Sequence, residues 1–383
     1  MKKAFQLISG AALVLALVGV GASVAGAQSP RPRFQSGPVG AANVVFVQTD
    51  NLSGNQVVAY NRAPNGTLAL ASTYNTGGLG GQLAGSVVDY LASQGSLAYS
   101  GQYGLLFAVN AGSNTISVFR VRGDQLFLQE VLFSGGSFPV SVAVHGDLVY
   151  VLNALNGGSL QGYRIVFGVV LPIFGSNRAL GLDPSATPQF THTPGQVAFT
   201  PNGSQLVVTT KANGNDIDVF AVGFAGLLSP APVVNGEPGT VPFAVTFDAA
   251  GHLVVAEAGT DALETFSLSP TGVATAIDTL GSGEAATCWV TVVNGYFYAS
   301  NAGSATLSEF QDSLTGQLSL AGSTGTDPGT VDSAGTPSGT FLYVQTGGNG
   351  IVDEYQVATG GSLTEIGSVI VAGAAGGEGI VAF

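Results

Sequence analysis

The sequence predicts an all-β protein, namely a single seven-bladed β-propeller built from four-stranded blades. Three observations predict this fold class: a recurring strand phrase, abundant glycine and scarce charge. Glycine contributes 57 of the 383 residues, while 45% of the chain is hydrophobic and only 9% is charged. Average soluble domains carry roughly 25% charged residues, and disordered chains combine low hydrophobicity with high charge. The composition therefore indicates a folded, turn-rich chain, and its glycines lack the three-residue period of collagen.

One phrase recurs seven times and sets the number of blades. It consists of an apolar strand, a short polar turn and a second, alternating strand, as in LLFAVNAGSNTISVF (105–119) and YFYASNAGSATLSEF (296–310). The steps between copies are 61, 43, 58, 46, 44 and 45 residues, and ~40–50 residues per repeat is typical of a propeller blade. The residues that close the first strand of each phrase are Thr49, Asn110, Asn153, Lys211, Glu257, Asn301 and Thr346.

A further short strand precedes each phrase except the first, from SLAY (96–99) to DSAG (332–335). The strand that the first phrase lacks is found at the other end of the chain, as IVAF (380–383). We therefore expect the C-terminal strand to become the innermost strand of the first blade and to close the ring. Closure of this kind removes the open edges that a linear sheet exposes.

Residues 1–27 have the layout of a secretory signal peptide. Lys2 and Lys3 precede an apolar run, and Ala25-Gly26-Ala27 supplies the small residues of a cleavage site. The apolar run is shorter than the roughly 20 residues of a membrane span, and we expect no membrane span in the mature chain. The sequence thus predicts a secreted or periplasmic protein, in which residues 1–27 are a signal peptide, 28–41 a flexible leader and 42–383 the propeller.

The inner strand of a propeller blade starts, and the second strand ends, on the same face of the ring. This face, here called the rim face, carries Lys211 and the six equivalent residues named above. We predict the charged residues of this face, Lys211, Glu257 and Asp332, as catalytic. Lys211 is the only lysine outside residues 1–27. It would hold a substrate carboxylate or act as a base with a lowered pKa, and the alternative is a structural ion pair with Glu257.

Glu257 and Asp332 would act as acid and base on a ring oxygen, and the alternative for both is hydrogen bonding to neighbouring loops. Trp289, the only tryptophan, would stack on a ring of the substrate or plug the channel. Cys288 with His192 is a weaker candidate for a nucleophile and its base, because a lone buried cysteine usually packs as a small hydrophobe. The residues predicted to bind substrate are Asn110, Asn153, Gln196, Trp289 and Asn301.

No cofactor and no metal is predicted. A calcium ion is the minor alternative, because calcium takes six to eight oxygen ligands and the rim face offers amide and carboxylate oxygens. The residues that would supply these oxygens are Asn110, Asn153, Glu257, Asn301 and Asp332.

Several longer phrases resemble a known family. They include LASQGSLAYS (91–100), PVSVAVHGDLVYVLNA (139–154), GQVAFTPNGSQLVV (195–208), FDAAGHLVVAEA (247–258) and CWV (288–290). Together they resemble the bacterial secreted lactonase-like propellers, which are grouped with 6-phosphogluconolactonase and carboxymuconate cyclase. The resemblance runs from about Asn43 to Phe383. It implies a lactonase or a cyclase-like enzyme, although a Pro-Arg-His stretch of better-characterised branches is replaced by Pro194-Gly195-Gln196.

These observations predict an exported lactonase-like propeller that hydrolyses or isomerises a small carboxylated lactone in a polar cup on the axis. The alternative is a non-catalytic binding or scaffold propeller that recognises an extracellular protein or a glycan. The net charge of -13 excludes nucleic acid as an expected partner, because such proteins present basic surfaces. The sequence predicts no particular oligomeric state.

Overall fold

The computed structural model describes residues 43–383, in which seven sheets are arranged as the blades of a β-propeller. The predicted signal peptide and leader lie outside the described residues. Each sheet is a four-stranded antiparallel meander, and blade three adds a short fifth strand, β12 (Arg178–Ala179), which pairs with β10. The prediction of an all-β, seven-bladed propeller is confirmed.

Strands are numbered in chain order and follow the same inner-to-outer sequence in every blade. The inner strands of blades one to seven are β29 (Ile380–Ala382), β4 (Leu97–Ser100), β8 (Pro139–His145), β13 (Val197–Phe199), β17 (Pro242–Phe247), β21 (Thr287–Val293) and β25 (Thr330–Gly335). The second strands are β1 (Val44–Gln48), β5 (Leu105–Asn110), β9 (Leu148–Asn153), β14 (Gln205–Thr209), β18 (Leu253–Glu257), β22 (Tyr296–Asn301) and β26 (Phe341–Thr346).

The third strands are β2 (Gln56–Arg62), β6 (Thr115–Arg122), β10 (Ser159–Val166), β15 (Asp216–Ala221), β19 (Ala262–Leu268), β23 (Thr306–Asp312) and β27 (Ile351–Val357). The outer strands are β3 (Leu68–Asn75), β7 (Gln125–Phe133), β11 (Val169–Pro172), β16 (Val233–Gly236), β20 (Ala274–Gly281), β24 (Leu318–Gly325) and β28 (Leu363–Ile370). Helical structure in the described part is limited to the 3-10 turns Ala111–Ser113, Gln189–Thr191, Lys211–Asn213 and Phe224–Gly226.

The ring closes in blade one through pairing of β29 with β1. Ile380 lies opposite Val47 and Ala382 opposite Val45 in an antiparallel register. The backbone N–H of Gln48 donates to Gly379 O at 2.8 Å just beyond the register, so the pairing continues to the rim face. The predicted closure by the C-terminal strand is therefore confirmed.

The second strands form the buried layer of each blade, and the outer strands alternate between half-buried and exposed positions. All five residues of β1, β14 and β18 are buried, whereas β24 and β28 consist of half-buried and exposed residues with no buried position. Burial on both faces explains why the second strands read as continuous apolar runs, since each is covered by the two neighbouring blades. Apolar burial at about 25 cal/mol per Å² is the main stabilising term of such a core.

Neighbouring blades are joined by tyrosines that reach glycines in the next hairpin. Tyr298 of β22 donates its hydroxyl hydrogen to Gly361 O at 2.6 Å, and Tyr343 of β26 donates to Gly66 O at 2.6 Å. Both glycines have positive φ, +83° and +94°, and a Cβ on either would approach an aromatic ring within about 2.3 Å. Only glycine fits these turns, so part of the high glycine content serves the contacts between blades.

Two long loops cross the rim face and differ from the short turns elsewhere. They comprise residues 76–96, between β3 and β4, and residues 180–196, between β12 and β13. The loops touch each other: Phe190 N donates to Ala84 O at 3.3 Å, and Ala84 N donates to Gln189 Oε1 at 2.9 Å. Both loops therefore belong to one layer over the ring. Between residues 43 and 383, no helix has the length and apolar character that crossing a membrane requires.

Deletion of residues 380–383 is expected to open blade one and to lower the melting temperature by roughly 10 °C or more, because β1 would lose its inner partner. Thermal unfolding followed by circular dichroism measures this. The control is Val381→Thr, which keeps a strand-forming residue at a half-buried position and should unfold near the wild-type temperature. Equal melting temperatures for the deletion and the wild type would contradict the role given to β29.

Candidate functional site

A pocket opens on the rim face between blades five and six, under the two long loops. It encloses about 170 Å³, close to the roughly 150 Å³ at which a dry apolar protein cavity binds benzene. Phe243 and Trp289, near the starts of β17 and β21, form its walls together with Phe190 from the second loop. Asp89 is the one carboxylate among its lining residues. The pocket is thus an apolar chamber with a single acidic group.

Trp289 is held rigidly in the wall of this pocket. Its indole Nε1 donates to Ser93 O at 2.7 Å, and its ring meets that of Phe243 edge to face, with centroids 4.9 Å apart. The side chain is 4% exposed, so it presents an apolar surface with no free donor. Among the five residues predicted to bind substrate, Trp289 is the one that lines the pocket.

Asp89 belongs to the first long loop, which turns tightly around its carboxylate. Oδ1 accepts the backbone N–H of Leu91 and Oδ2 that of Ser93, both at 2.8 Å. Burial raises the pKa of Asp89 to about 7, while these N–H groups and the charge of Lys211 oppose the rise. A carboxyl group with this pKa exchanges its proton near neutral pH.

Lys211 lies directly behind the pocket lining, fully buried. It follows β14 in a 3-10 turn, with a left-handed φ of 52°. Its Nζ donates to Ala92 O and Phe190 O, both at 2.6 Å, and lies 3.2 Å from Thr193 Oγ1. The ammonium thus ties the two long loops together, since Ala92 belongs to one and the other two partners to the second.

The electrostatics of Lys211 complement those of Asp89. Burial lowers the pKa of Lys211 to about 7, and the nearby Asp89 and Cys288 oppose that fall. Nζ also lies 5.2 Å from the ring centroid of Phe243, a favourable position for a cation. Lys211 and Asp89 are therefore two interacting buried groups whose pKa values both lie near 7, so each changes its charge close to neutral pH.

Asp332 belongs to a second group of buried acids around the start of β29. This group, the axial carboxylates, consists of Asp50, Asp332 and Glu378. Glu378 Oε1 accepts the N–H groups of Gly95 at 2.6 Å and Ser96 at 3.2 Å, and Glu378 N donates to Asp50 Oδ2 at 2.9 Å. Burial raises the pKa of Asp50 to about 7 and that of Asp332 to about 6.

The pKa of Glu378 is raised well above the ordinary value by burial and by three neighbouring acids, Asp332, Asp89 and Asp50. Its Oε2 is buried without a hydrogen-bond partner. The axial carboxylates therefore favour the neutral form, and their ionisation disfavours the folded state.

Glu257 occupies a third environment, at the end of β18. It is fully buried, and neither carboxylate oxygen makes a hydrogen bond of normal geometry, although the Thr240 side chain lies near. Burial raises the pKa of Glu257 to about 8, and the charges of Glu264 and Glu237 add to the rise. Throughout residues 43–383, no ion pair joins Glu257 to Lys211.

The three predicted catalytic residues thus lie on the rim face with different neighbours. Lys211 faces Asp89, Asp332 faces Glu378, and Glu257 faces Glu264 and Glu237. Lys211 is the one that contacts the pocket lining. The catalytic roles of all three stay predictions.

The amide side chains predicted to bind substrate make hydrogen bonds within and between blades. They are Asn110, Asn153, Gln196 and Asn301. Asn110 Nδ2 donates to Ser117 Oγ at 2.8 Å, and Asn301 Nδ2 makes the equivalent bond to Ser308 Oγ at 2.9 Å. Asn153 Nδ2 donates to Ser134 O at 3.1 Å, while Gln196 Oε1 accepts Val245 N at 2.6 Å. These amides stabilise the ends of the strands, and their contact with a ligand stays a prediction.

Cys288 lines the pocket, but its chemistry is that of a buried thiol. Burial raises the pKa of Cys288 to about 12, although Lys211 opposes the rise. Nucleophilic cysteines instead have lowered pKa values. His192 lies outside the pocket lining, with Nδ1 2.8 Å from Thr191 Oγ1 and 2.9 Å from Pro188 O.

One cluster with metal-ligand chemistry occurs among the described residues, and it lies on the opposite face from the pocket. Asp248 and His252, in the turn between β17 and β18, meet Asp312 at the end of β23, with ligand atoms within 4.8 Å of one another. Asp248 already accepts the backbone N–H of His252 at 2.6 Å, and its other oxygen lies 2.5 Å from His252 Nδ1. None of the five residues considered for calcium belongs to this cluster.

Asp89, Phe190 and Phe243 line the candidate pocket and were missed by the sequence analysis. The first two lie in the long loops, which carry no repeat phrase. A signal was present in the repeat lengths, because the two longest steps, 61 and 58 residues, contain these loops. Long loops in compact domains are usually functional.

Solved structures of bacterial propellers match the chain over nearly its whole described length. A provisionally assigned 6-phosphogluconolactonase from Bacteroides fragilis has a TM-score of 0.66 at 18% identity, covering 88% of this chain and 96% of the other. Its counterpart from Bacteroides uniformis has a TM-score of 0.69 at 18% identity, with 87% and 97% covered. The periplasmic gluconolactonase of Pseudomonas aeruginosa has a TM-score of 0.68 at 16% identity, with 88% and 98% covered.

The chain has the fold of these lactonase-like propellers. The resemblance inferred from sequence phrases is thus confirmed at the level of fold. No protein-family model matches the sequence, and no curated protein does. Because one fold hosts many activities, the function of this propeller has to be argued from its own pocket.

The axial carboxylates make the stability of the propeller fall as pH rises. Their pKa values are raised in the folded state, so between about pH 4 and 7 the folded chain binds more protons than the unfolded chain, and raising the pH favours unfolding. We expect the melting temperature at pH 8 to be roughly 5 °C or more below that at pH 5. Thermal unfolding across this pH range measures the effect.

Glu378→Gln should raise the melting temperature at pH 8 and flatten the dependence, because the amide oxygen keeps the bonds to Gly95 and Ser96 without a charge. The control is Glu284→Gln, which removes an acid outside this group, keeps an oxygen for the Ser323 hydroxyl and should leave the slope unchanged. A wild-type stability that increases from pH 5 to pH 8 would show that these acids are ionised at little cost.

Proposed function

We propose that the protein is an exported lactone hydrolase that binds its substrate in the pocket between blades five and six. The observation that carries the proposal is the single carboxylate of Asp89 in an otherwise apolar, aromatic-walled chamber, backed by Lys211. Isolated carboxyl groups with pKa values near 7 are suited to general base catalysis. The likeness in fold to proteins described as gluconolactonases supports the same reaction class.

In the proposed reaction, Asp89 accepts a proton from a water molecule while the water oxygen bonds to the lactone carbonyl carbon. The tetrahedral intermediate collapses with cleavage of the ring C–O bond, and the protonated Asp89 returns its proton to the leaving oxygen. The product is the open hydroxy acid. The two N–H bonds from Leu91 and Ser93 hold the carboxylate in place for both steps.

Lys211 acts in this proposal as a positioning residue. Its donors are engaged with Ala92 O, Phe190 O and Thr193, so it shapes the loops and favours ionised Asp89 through its charge. Glu257 and Asp332 stay predicted acid–base groups and lie outside the pocket lining. A carboxylated substrate held directly by Lys211 likewise stays a prediction.

Export to the periplasm or the medium is part of the proposal. It rests on the signal-peptide pattern of residues 1–27, and one structural relative is described as periplasmic. Expression of the full chain followed by N-terminal sequencing of the protein outside the cytoplasm tests it, with cleavage before Gln28 expected.

A binding or scaffold function is the second candidate, favoured by exposed aromatic side chains on the outside of blades two and three. Phe133 is 65% exposed, and Phe167 and Phe174 are fully exposed. Contiguous exposed apolar patches mark contact surfaces, and this candidate assumes that these side chains contribute to one. A partner there would be an extracellular protein or a glycan. This candidate gains if the purified chain hydrolyses no lactone.

Asp89→Asn is expected to lower lactone hydrolysis by at least ~100-fold, the usual contribution of a general base. The wild-type rate, corrected for spontaneous hydrolysis, should rise with pH and reach half its plateau near pH 7, because Asp89 must be ionised. Continuous pH-stat assays on the purified protein measure the rate loss and the pH dependence.

The matched control is Asp218→Asn. Asp218 is also buried and also has a pKa of about 7, raised by burial and by Asp216, but it does not line the pocket. It should keep most of the activity and the same pH midpoint. Hydrolysis by Asp89→Asn at the wild-type rate would remove Asp89 from the mechanism.

A further inference from the structure

The described chain offers a substrate in this pocket no free positive charge. Residues 43–383 contain one lysine and five arginines, and the ammonium of the lysine, Lys211, is saturated by two carbonyls and Thr193. None of the arginines lines the pocket. These side chains lie on third strands or on the short strand of blade three and contact groups there: Arg62, Arg120, Arg122, Arg164 and Arg178.

The remaining polar groups of the pocket are also committed. The indole N–H of Trp289 is bonded to Ser93 O, and the Ser86 hydroxyl donates to Leu83 O at 2.7 Å. The other side chains around the chamber are aliphatic or aromatic, apart from Asp89 and the thiol of Cys288. A substrate with several hydroxyl groups would therefore bury them without partners, at a cost for each one.

The pocket offers an anionic substrate no free counter-charge. Asp89 is the one carboxyl group in the lining, and the neighbouring Lys211 donates to Ala92 O, Phe190 O and Thr193 Oγ1. A phosphate or carboxylate on the substrate would lose its hydration and meet Asp89 without a free cation to pair with.

We propose, on the basis of the proposed lactone hydrolysis, that the substrate is an uncharged lactone whose ring carries an aliphatic or aromatic substituent. Three aromatic walls and a chamber of about 170 Å³ accommodate a six-membered ring with a short substituent, since a cavity of about 150 Å³ already holds benzene. Phosphorylated, carboxylated and polyhydroxylated lactones are poor substrates, which separates this chain from the sugar-lactone activities named for its structural relatives.

A substrate panel tests the proposal with the full mature chain. δ-Hexalactone and dihydrocoumarin represent the uncharged apolar class, glucono-δ-lactone the polyhydroxylated class, and 6-phosphogluconolactone and a carboxylated γ-lactone the anionic class. We expect kcat/KM for the apolar pair to exceed that of the other three by at least ~100-fold, the cost of burying an uncompensated charge or several unpaired hydroxyls.

Binding is measured separately from turnover through Trp289. Because it is the only tryptophan of the chain and lines the pocket, its intrinsic fluorescence reports occupancy. The probe is 2-methylcyclohexanone, which has the size of δ-hexalactone and cannot be hydrolysed. We expect saturable quenching by this ketone and none by gluconate or 6-phosphogluconate.

A matched pair of variants locates the binding. Ala302 lines the pocket, and its N–H donates to Ala286 O at 3.1 Å. Ala258 holds the equivalent place in blade five, with its N–H donating to Val241 O at 3.2 Å, but does not line the pocket. Ala302→Phe should fill the chamber and weaken both ketone binding and hydrolysis at least tenfold, whereas Ala258→Phe should leave both unchanged.

The outcomes separate this inference from the function on which it rests. Preferred turnover of an anionic or sugar lactone, abolished by Asp89→Asn, would overturn the substrate class and retain the hydrolase. Ketone binding that Ala302→Phe removes, without hydrolysis of any lactone, would retain the apolar ligand class and overturn the hydrolase. Absence of both binding and hydrolysis would overturn both, and the wild-type panel alone decides this if Ala302→Phe does not fold.

Discussion

Ring closure by β29 is the constraint on which the rest of the structure depends. The rim face exists as a circle of strand ends only because Ile380–Ala382 completes blade one against β1. The same closure carries Glu378 into the ring, where its backbone N–H reaches Asp50 across 328 residues of sequence. Its carboxylate then receives N–H groups from Gly95 and Ser96 at the start of blade two. One short strand thus holds the first two blades together and assembles the axial carboxylates.

Scarce charge has a structural explanation in this chain. Many of its ionisable groups are buried, where each needs either a partner or a neutral state. Lys211 finds backbone carbonyls, and Asp89 finds backbone N–H groups, so the two long loops fold around this pair. Glu257 has neither kind of partner, and burial raises its pKa to about 8. The protein therefore combines a rigid apolar framework with a few acids whose protonation is sensitive to the medium.

The repeat pattern was sufficient to predict the fold, because each strand phrase reports burial on both sides and this property is local. Even the C-terminal strand IVAF could be assigned to blade one, since the first phrase lacked an inner strand. The site was harder to predict. Lys211 could be placed on the rim face from its position in the phrase. Its partner Asp89, however, lies in the first long loop, whose path depends on the contact of its own Ala84 with Phe190 of the second long loop. Likewise, Asn110 and Asn301 share a position in the repeat, yet only the structure shows that hydroxyl groups of their own blades occupy their amides.

The position of β29 also determines when the molecule can finish folding. Because a chain is synthesised from its N-terminus, β1 is made first and β29, the strand that pairs with it, is made last. Until β29 is in place, β1 has an unpaired edge, and such an edge can pair with strands of other chains and lead to aggregation. Contacts across hundreds of residues form slowly. A propeller built in this way becomes a closed ring only after Ile380–Ala382 has been synthesised and has paired with β1.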